Sequence, residues 1–553
     1  MNQKRCLKIY IAISIALVLL ITRIGWLQSR NSGELAKAAA AKQVSDFAID
    51  IPRGEIVDRN NIPLTNRSPK KLLLLKSEFI LEDKPNTDFI SSVIGITPQA
   101  LTDNLRKTKG PVIYDIKNED ESKLAKIDHK VYSVIELLNR YDENSVATHL
   151  LGYLNKKDGI GATGIERVYN EILKVDGETY VGYIRDAKYQ PVNGLGYRLG
   201  TSWTEESKKN VKLTLDYHIQ KIAEDILGKT EMSGAVVIEK VGSGEIVTMA
   251  SMPDFNQNDI SKYLDDTNKS LFNRVSASYS LGSVFKIIDA ADILEENLEF
   301  NTSYYCNGRI TVGSNEFKCA TYLKGGHGNV DFMSAFASSC NTFFINQMVN
   351  RDFSKLIEMA DRFGMGKNTG IEKQGINESK GTLPDATKWF SQGDIANSAI
   401  GQGKVTATPV QVAGIAAIIA SGGVRYETSI VDCVLDSQEN VIKSFKNQGS
   451  ERVISEATAL KIKSMMGLVT GENGTGKKAN VDEFGGAGCK TGTAQSGQKI
   501  NGKEIMHGWI TGFFPYDNPK YAMSVFIDDV DSGTSSPSSI FGDIAREILK
   551  RKL

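Results

Sequence analysis

The chain has 553 residues, of which 41% are hydrophobic and 24% are charged, so it can bury a large core and is not a disordered protein. Lys plus Arg and Asp plus Glu both number 66, which leaves no global positive charge to attract nucleic acid, and we expect no nucleic-acid partner. The six cysteines and five histidines include no pair at two-residue spacing, which excludes a zinc-ribbon or zinc-finger module and leaves catalysis to ordinary side chains.

The first predicted element is an apolar segment near the amino terminus. It covers Ile9–Leu27 and follows Lys4, Arg5 and Lys8, and at about 1.5 Å rise per residue a helix of this length just crosses a bilayer. Basic residues ahead of a membrane span stay on the cytoplasmic side. The sequence therefore predicts a cytoplasmic tail at residues 1–8, a single-pass anchor in the cell membrane over 9–27, and an extracytoplasmic remainder.

The alternative to an anchor is a signal peptide that is cleaved. Ala36 and Ala38 supply an A-x-A pattern of the kind found at cleavage sites, but they lie well past the apolar segment. We therefore expect the segment to remain in the protein as an anchor.

The chain beyond the anchor is predicted to be α+β, with two domains. Residues 28–207 are polar with short apolar runs, which indicates an extended α+β domain, and a second domain follows over 208–553. The second domain is expected to begin with a helix over Tyr217–Leu227.

A sheet in the second domain is predicted from strands that lie far apart in the sequence. Gly234–Lys240 and Glu245–Ala250 are separated by a glycine-containing turn and predict a β-hairpin. Two further strands are expected near the end of the chain, at Gly508–Phe514 and Tyr521–Asp528. One sheet would then be built from both ends of the domain.

Cys306 and Cys319 bracket a polar, glycine-containing segment of the second domain. A disulfide bond persists outside the cytoplasm, so a loop-closing bridge between them is one interpretation. Two small buried thiols are the other, and Cys340, Cys433 and Cys489 lie in apolar or small-residue surroundings that suit packing.

The first of three motifs that suggest catalysis is Ser283-Val-Phe-Lys286, and the apolar run after it predicts a buried helix. A serine at the first turn of a helix lies beside free N–H groups, and a lysine three residues later lies on the same face. The lysine can act as a base for the serine if burial or another cation lowers its pKa.

Two other segments, Ser68–Lys71 and Ser496–Lys499, also match S-x-x-K. Ser68 has no apolar helix after it, and Ser496 lies in a predicted glycine-rich loop. We therefore assign neither a catalytic role.

The second motif, Ser339-Cys-Asn341, is predicted to lie in a loop or tight turn between apolar elements. Its serine hydroxyl could relay a proton, and its asparagine amide could both donate to and accept from a substrate amide. An isolated tripeptide of this kind is more often a helix cap, so its meaning depends on the other motifs.

The third motif, Lys490-Thr-Gly-Thr493, follows the glycine-rich run Gly485–Cys489 and precedes a predicted strand. Glycine lets a ligand approach the backbone closely. The lysine and threonine suit binding of a substrate carboxylate, and an edge-strand N–H suits an oxyanion. Standing alone, the motif would be a strand end with a surface lysine.

In this order the three motifs resemble those of penicillin-binding proteins and serine β-lactamases. Other segments that resemble the penicillin-binding transpeptidase domain are Asn273-Arg274, Tyr279, Cys306–Gly308, His327-Gly328, Ile400–Gly403, Thr408–Gln411, His507–Trp509 and Gly512-Phe513. Segments similar to the dimerisation, or pedestal, domain of class B members are Arg53–Arg59, Pro63-Leu64, His149–Tyr153 and Gly164–Glu166. The resemblance implies a class B penicillin-binding protein in which an antiparallel sheet flanked by helices forms the transpeptidase domain, as in serine β-lactamases.

The resemblance also implies a peptidoglycan D,D-transpeptidase that works through a serine acyl-enzyme and is acylated by β-lactams. The implied catalytic residues are Ser283, Lys286, Ser339 and Lys490, and the implied substrate-binding residues are Asn341, Thr491, Gly492 and Thr493. In this scheme Lys490 also supplies the cation that keeps Lys286 neutral. The implied partners are stem peptides, β-lactams, the membrane and a multi-spanning glycosyltransferase, and no metal or cofactor is needed.

Two positions depart from the family pattern. Leu281 stands where the family usually has proline, and Asp528–Asp531 differs from the usual carboxylate-and-glycine pattern near the last strand. Neither departure removes a catalytic group. Reaction rate and β-lactam affinity depend on the shape of the cleft rim, so the sequence leaves both open.

Two other classes of function stay open from the sequence. The first is a hydrolase of the same family, either a D,D-carboxypeptidase or a β-lactamase, and the anchor and long first domain argue against it. The second is a non-catalytic cell-wall scaffold or β-lactam sensor that binds partners through residues 28–207. The intact catalytic motifs argue against a scaffold, and the short amino-terminal tail leaves no room for the output domain of a sensor.

Overall fold

The structure is a computed structural model that describes residues 3–30, 44–75, 84–108, 111–127, 131–184, 198–445, 449–500, 502–531 and 535–553. The Ala36-x-Ala38 pattern lies outside the described residues. The chain divides into two compact units. Unit 1 comprises Met1–Pro52, Pro69–Asn139 and Val175–Thr204, and unit 2 comprises Arg53–Ser68, Arg140–Lys174 and Glu205–Leu553.

The α-helices are numbered in chain order. They are α1 (Gln3–Arg30), α2 (Lys84–Ile94), α3 (Pro98–Lys107), α4 (Asn118–Leu124), α5 (Thr148–Leu151), α6 (Gly164–Val168), α7 (Asn170–Leu173), α8 (Tyr217–Gly228), α9 (Lys286–Glu296), α10 (Phe332–Ala337), α11 (Asn341–Met348), α12 (Phe353–Arg362), α13 (Gln392–Ser398), α14 (Pro409–Ala420), α15 (Glu456–Val469) and α16 (Pro537–Lys550).

The β-strands are numbered in the same way. They are β1 (Val44–Asp50), β2 (Ile56–Val57), β3 (Ser68–Leu75), β4 (Val112–Ile116), β5 (Tyr132–Asn139), β6 (Thr179–Ile184), β7 (Arg198–Thr201), β8 (Lys209–Leu213), β9 (Gly234–Lys240), β10 (Ile246–Met252), β11 (Tyr279–Ser280), β12 (Tyr304–Cys306), β13 (Arg309–Val312), β14 (Asn315–Lys318), β15 (Gly328–Val330), β16 (Thr406–Ala407), β17 (Val424–Tyr426), β18 (Val431–Asp436), β19 (Val441–Ser444), β20 (Ser450–Arg452), β21 (Gly488–Ile500), β22 (Lys503–Phe514) and β23 (Tyr521–Ile527).

Helix α1 has the length and composition of a single membrane span. Within the described residues, Leu7–Trp26 is the one helical segment long and apolar enough to cross a membrane, with a mean hydropathy of 2.2. The predicted span of residues 9–27 lies inside this helix, whose apolar side chains are exposed to the surroundings. A single-pass membrane anchor accounts for this exposure, because such a surface is stable in lipid and costly in water.

Unit 1 contains two three-stranded sheets, with strand orders β1-β6-β7 and β4-β3-β5. The alternate apolar residues of β3 divide between two clusters, since Leu73 and Leu75 pack with α2 and α3 while Leu72 and Leu74 pack with Val181 of β6. Successive residues of a strand point to opposite faces, so this strand is buried on both of its faces.

The main sheet of unit 2 is antiparallel and has the order β10-β9-β23-β22-β21. It joins the predicted hairpin to strands near the end of the chain, so the prediction of one sheet from both ends of the domain is confirmed. The strand bounds differ slightly from the prediction, since β10 begins at Ile246 and β22 begins at Lys503. Helix α14 packs on this sheet, where Thr511 Oγ1 and Ser524 Oγ donate to backbone carbonyls of α14 at 2.9 and 2.7 Å.

A second sheet of unit 2, with the order β19-β18-β8-β2, includes a strand from the amino-terminal part of the chain. Ile56 and Val57 of β2 pair in parallel with Val211 and Lys212 of β8. Unit 2 therefore contains segments on both sides of the predicted boundary between residues 207 and 208, and that boundary stays a prediction.

Candidate active site

The predicted nucleophile lies in a short turn ahead of a buried helix. Ser283 belongs to a 3-10 turn over Gly282–Phe285, and the α-helix α9 begins only at Lys286. The sequence predicted the serine inside the first turn of the α-helix. The turn begins at Gly282, whose φ of 56° is in the left-handed region. The Ser283 side chain is half-buried.

The turn is packed against the backbone of the third motif. A Cβ atom built on Gly282 would lie 2.2 Å from the carbonyl oxygen of Thr493, and one built on Gly492 would lie 2.6 Å from the carbonyl oxygen of Leu281. Both positions therefore require glycine for this close approach. The Gly282 N–H also donates to Gly401 O at 2.9 Å, which fixes the turn from its other side.

Lys286 begins α9, and every residue from Lys286 to Leu294 is buried. Its Nζ donates to the carbonyl oxygen of Ser339 at 2.8 Å, to Ser339 Oγ at 3.2 Å and to Asn341 Oδ1 at 2.7 Å. An ammonium group has three donors, and here each of them has an acceptor. The structure thus brings together the first and second motifs.

The second motif forms a tight turn between α10 and α11, in agreement with its predicted position. Ser339 has a φ of 58°, which is unusual for a residue with a side chain and is stored strain of the kind found at functional sites. The turn is held by the Cys340 N–H, which donates to Ala335 O at 2.8 Å. Asn341 begins α11, and its Nδ2 donates to Lys318 O at 3.0 Å.

The third motif lies in β21, which is one of the two edge strands of the main sheet. Lys490 is fully buried, and its Nζ donates to Ser339 Oγ at 3.0 Å and to Thr491 O at 3.0 Å. Thr491 Oγ1 is 2.6 Å from Thr475 Oγ1, while Thr493 is exposed. An edge strand leaves alternate backbone N–H groups unpaired within the sheet, so they are free to bind a ligand.

Burial lowers the pKa values of both lysines, and the charge of Lys286 lowers that of Lys490 further. Burial lowers the pKa of Lys286 from 10.5 to about 8, although the neighbouring Cys340, Cys319 and Asp289 act to raise it. Burial, followed by the charge of Lys286, lowers the pKa of Lys490 well below its usual value. The two groups share one hydroxyl, and Lys286 has three acceptors where Lys490 has two, so this geometry favours a single charge that resides on Lys286. The expectation that Lys490 keeps Lys286 neutral stays a prediction.

The two other S-x-x-K segments are remote from this geometry. Ser68 begins β3 in the amino-terminal part of the chain, and Lys71 is paired with Glu121. Ser496 is in β21, at a register shift between Gln495 and Lys499, so the predicted glycine-rich loop is instead an irregular part of a strand. Neither serine has a buried lysine on a following helix.

Two polar residues near the site were missed by the sequence reasoning. Asp289 is buried one turn after Lys286, and burial raises the pKa of its carboxyl well above the usual value. Thr475 contacts Thr491 but lies in a loop with no recognisable motif. Neither residue could be identified from the sequence, because its proximity to the motifs depends on which elements pack together.

The two departures from the family pattern are accommodated without loss of structure. Leu281 is fully buried with a φ of −82°, close to the value that proline would impose. The backbone carbonyl of Asp528 is 2.8 Å from His507 Nδ1, and its carboxylate is 3.7 Å from Arg274 Nε. These residues support β22, whose Trp509 indole N–H donates to Ser280 O at 2.9 Å, just before the turn of Ser283.

Known proteins share both the sequence and the fold of this chain. Residues 234–550 match the family described as penicillin binding protein transpeptidase domain, and residues 48–215 match the penicillin-binding protein dimerisation domain. The chain is 28% identical over 575 residues to Stage V sporulation protein D of Bacillus subtilis, covering 99% of this chain and 85% of the relative. It is 25% identical over 618 residues to peptidoglycan D,D-transpeptidase MrdA of Haemophilus influenzae, covering 100% of this chain and 92% of the relative.

A solved structure of a complex between penicillin-binding protein PBP2 and MreC from Helicobacter pylori has the same fold. Its TM-score is 0.65 at 24% identity, with 92% of this chain and 99% of that chain covered. Since the transpeptidase family covers more than half of the chain and the dimerisation family covers most of what precedes it, the chain belongs to the class B penicillin-binding proteins, the peptidoglycan D,D-transpeptidases.

Proposed function

We propose that this protein crosslinks peptidoglycan stem peptides through an acyl-enzyme formed on Ser283. The observation that carries the proposal is the meeting of the three motifs around one hydroxyl group. Ser339 Oγ lies 3.2 Å from Lys286 Nζ and 3.0 Å from Lys490 Nζ, and the turn of Ser283 packs against the strand that holds Lys490. Two buried amines and a relay hydroxyl beside a serine are the groups that acyl transfer requires.

In the first half of the reaction, Ser283 Oγ attacks the carbonyl carbon between the last two D-alanines of a stem peptide. Its proton passes to neutral Lys286, and the backbone N–H groups of Ser283 and Thr493 stabilise the oxyanion. The proton then moves through Ser339 Oγ to the leaving nitrogen, the C–N bond breaks, and D-alanine departs. An amine of a second stem peptide attacks the ester and displaces Ser283 by the same route in reverse.

The substrate would be held by the remaining residues of the second and third motifs. Asn341 binds the amide of the donor peptide, Gly492 lets the substrate approach the strand, and Lys490 and Thr491 bind its terminal carboxylate. A bound carboxylate favours the charged form of Lys490, whose charge in turn disfavours a proton on Lys286. Substrate binding would therefore move the single charge from Lys286 to Lys490 and release the base.

The proposal is tested by labelling the full-length protein, in detergent, with a fluorescent penicillin. The wild-type protein should form a stable adduct, and mass spectrometry should locate it on Ser283. S283A should form none, while S68A and S496A remove the other two S-x-x-K serines and should label normally. An adduct that persists in S283A, or one that is lost in S496A, would overturn the assignment.

Transfer is distinguished from hydrolysis by offering a second nucleophile. A peptide that ends in D-Ala-D-Ala is incubated with the protein and an excess of an amine acceptor. Attachment of the amine supports a transpeptidase, whereas release of only the free acid would favour a carboxypeptidase. Rapid turnover of penicillin without a stable adduct would favour a β-lactamase.

We also propose that the amino terminus is cytoplasmic and that unit 2 lies outside the cytoplasm. Lys4, Arg5 and Lys8 precede the apolar part of α1, and such charges are retained inside. A reporter enzyme that is active only outside the cytoplasm, fused after Leu553, should be active in cells. Activity of a reporter that works only in the cytoplasm would refute this orientation.

A membrane-embedded glycosyltransferase is the partner that we propose for the anchor. The exposed apolar side chains of α1 offer a surface for another transmembrane helix. A photocrosslinking residue at Ile13 or Leu17 should join the protein to a multi-spanning polymerase in membranes. The absence of any crosslink to such a polymerase from every face of the helix would argue against this partner.

A further inference from the structure

Three cysteines and a histidine meet beside the second motif, although they are widely spaced in the sequence. Cys306, Cys319, His327 and Cys340 each offer one ligand atom, and these atoms all lie within 4.8 Å of one another. Cys306 ends β12, Cys319 follows β14, His327 precedes β15, and Cys340 is the central residue of Ser339-Cys-Asn341. The three cysteines are buried and the histidine is half-buried.

Three distances within the cluster are close to those of a tetrahedral metal site, and they do not fit a disulfide bond. Cys319 Sγ lies 3.7 Å from Cys306 Sγ and 3.8 Å from Cys340 Sγ, while Cys306 Sγ lies 3.4 Å from His327 Nδ1. Around a tetrahedral zinc ion, two thiolate sulfurs are separated by about 3.8 Å, and a sulfur and an imidazole nitrogen by about 3.6 Å. A disulfide bond would require about 2.05 Å, and all three cysteines are free thiols in the structure.

We propose that Cys306, Cys319, His327 and Cys340 form a structural zinc site that holds the second catalytic motif in place. Three soft sulfur ligands and one imidazole nitrogen are a ligand set that favours zinc over hard cations such as magnesium or calcium. With four protein ligands the site has no open position, so the metal would be structural and not catalytic. This inference does not depend on which serine is the nucleophile.

The residues around the cluster already supply hydrogen bonds suited to metal-bound thiolates. Thr342 Oγ1 donates to Cys306 Sγ at 3.1 Å, and the Thr342 N–H donates to Cys319 Sγ at 3.4 Å. Cys340 Sγ is 3.4 Å from the same hydroxyl. Hydrogen bonds from an outer shell of this kind orient metal ligands and tune their basicity.

The four ligands connect a segment with little regular secondary structure, Tyr304 to Val330, to the catalytic cleft. The segment from Tyr304 to Val330 is built from two-stranded ribbons of three or four residues per strand, which is little secondary structure to hold its shape. A metal bound by three of its residues and by Cys340 would fix this segment to the turn of Ser339. Zinc binding energy contributes directly to the stability of the structure that it joins.

The proposed zinc ion would also position two groups that act in the proposed mechanism. Cys340 is the residue between Ser339 and Asn341, and the side chain of Asn341 donates to Lys318 O, the carbonyl immediately before Cys319. Zinc with three thiolates has a net negative charge, and the ammonium group of Lys286 contacts the carbonyl of Ser339, next to Cys340. The metal would therefore hold the relay serine and place a compensating charge near the lysine pair.

The direct test is the metal content of the full-length protein, purified in detergent without chelators. We expect one zinc ion per chain by elemental mass spectrometry. Replacement of zinc by Co²⁺ should give the strong visible absorption of a tetrahedral site together with a sulfur-to-cobalt charge-transfer band. Protein that contains no zinc and that binds neither Zn²⁺ nor Co²⁺ when its thiols are reduced would overturn the proposal, as would purified protein in which two of these cysteines are joined by a disulfide.

Substitutions assign the site to the four residues. Zinc stoichiometry should fall to near zero in C319S and in H327A, whereas C433A, which removes a buried cysteine outside the cluster, should keep one zinc per chain. If C319S does not fold, the H327A result decides, since His327 is only half-buried and its loss leaves a smaller gap. Retention of full zinc content in both variants would place the metal elsewhere and overturn the assignment.

The role in positioning is tested by removing the metal from wild-type protein. A strong chelator should lower the rate constant of penicillin acylation by about tenfold or more, and added Zn²⁺ should restore it. Unchanged acylation after complete removal of zinc would refute the positioning role. Because metal content is measured without any substrate, a failure to label Ser283 would leave the zinc measurement interpretable.

Discussion

At the scale of single residues, the proposed mechanism depends most on the protonation of Lys286. Its ammonium form has an acceptor for each proton, which makes it a stable donor but an ineffective base. Burial lowers its pKa to about 8, so roughly a tenth of the molecules hold neutral Lys286 at pH 7. A base must be deprotonated to act, so the active fraction grows as the pH rises and saturates above the pKa.

We therefore predict that the second-order rate constant for penicillin acylation rises with pH and levels off above about pH 8. Arginine in place of Lys286 keeps the charge but does not lose its proton in this range. K286R should therefore acylate about 100-fold to 10,000-fold more slowly and should lose the rise near pH 8. Both pH profiles, of the wild-type protein and of K286R, are measured from labelling reactions that are stopped at set times over a series of pH values. A wild-type profile that is flat from the acid side to the alkaline side of pH 8 would contradict the role of Lys286 as the base.

At the scale of elements, the position of the proposed nucleophile, Ser283, depends on how closely a turn approaches a strand. Gly282 allows the turn of Ser283 to pack directly on the backbone of Thr493, at a distance that no side chain fits. The oxyanion-binding groups proposed above, the N–H groups of Ser283 and Thr493, come from these two elements. Their separation is thus set by a glycine and not by the catalytic residues themselves.

Substitution of Gly282 should test this dependence against a matched control. In G282A the new Cβ would meet Thr493 O at 2.2 Å and push the turn away from β21, so we expect acylation to fall by about 100-fold. Gly313 has a similar φ of 59°, but nothing lies within 4 Å of its Cβ position, so G313A has the same backbone strain without the clash. G313A should lose only about 1 kcal/mol of stability and should label at the wild-type rate. Equal labelling of both variants would mean that the approach of the two elements does not matter.

Sequence patterns predicted the elements whose signals are local. The hairpin of β9 and β10 is marked by its apolar run and by Gly242 and Gly244, and the three motifs that the structure brings together are marked by their order along the chain. The 3-10 turn before Lys286 and the irregular strand around Ser496 were not predicted, because both depend on packing against other segments. The cysteine and histidine cluster was missed for the same reason. Its four members have no regular spacing, and only the folding of the short ribbons brings them together.

At the scale of the whole molecule, the division of the chain into compact units was the feature hardest to predict from the sequence. Strand β8 begins at Lys209, close to the predicted boundary. However, β2 pairs with β8, and the amino-terminal segments Arg53–Ser68 and Arg140–Lys174 belong to unit 2. Composition along the chain cannot reveal this, because the contacts join residues that are far apart in sequence.

A buried charged network holds these amino-terminal segments together inside unit 2. Glu166 has no exposed surface, and its carboxylate accepts from Arg53 at 3.0 Å, from Arg140 at 2.7 Å and from the Tyr141 hydroxyl at 2.9 Å. Removal of one partner from such a network leaves a buried charge without compensation, which costs about 3–5 kcal/mol. The network therefore makes the two segments depend on each other.

We predict that a fragment limited to the predicted second domain, residues 208–553, will not fold as the intact protein does. It would lose Ile56, Leu150, Leu151, Ile165 and Leu173, all of which lie in the main hydrophobic core of unit 2. Each such side chain contributes about 1.5–3 kcal/mol on burial, and the net stability of a domain is only about 5–15 kcal/mol. A fragment of residues 44–553, which lacks only the tail, the anchor helix and the residues just after it, is the matched control.

The two fragments are compared by thermal unfolding and by penicillin labelling. Residues 44–553 should unfold cooperatively and label like the full-length protein, whereas residues 208–553 should aggregate or unfold at a much lower temperature and fail to label. If residues 208–553 instead unfolded within a few degrees of the control and labelled at the same rate, the amino-terminal segments would be dispensable for the catalytic core. The boundary predicted from the sequence would then mark an independently folding domain, in spite of the pairing of β2 with β8 in the second sheet.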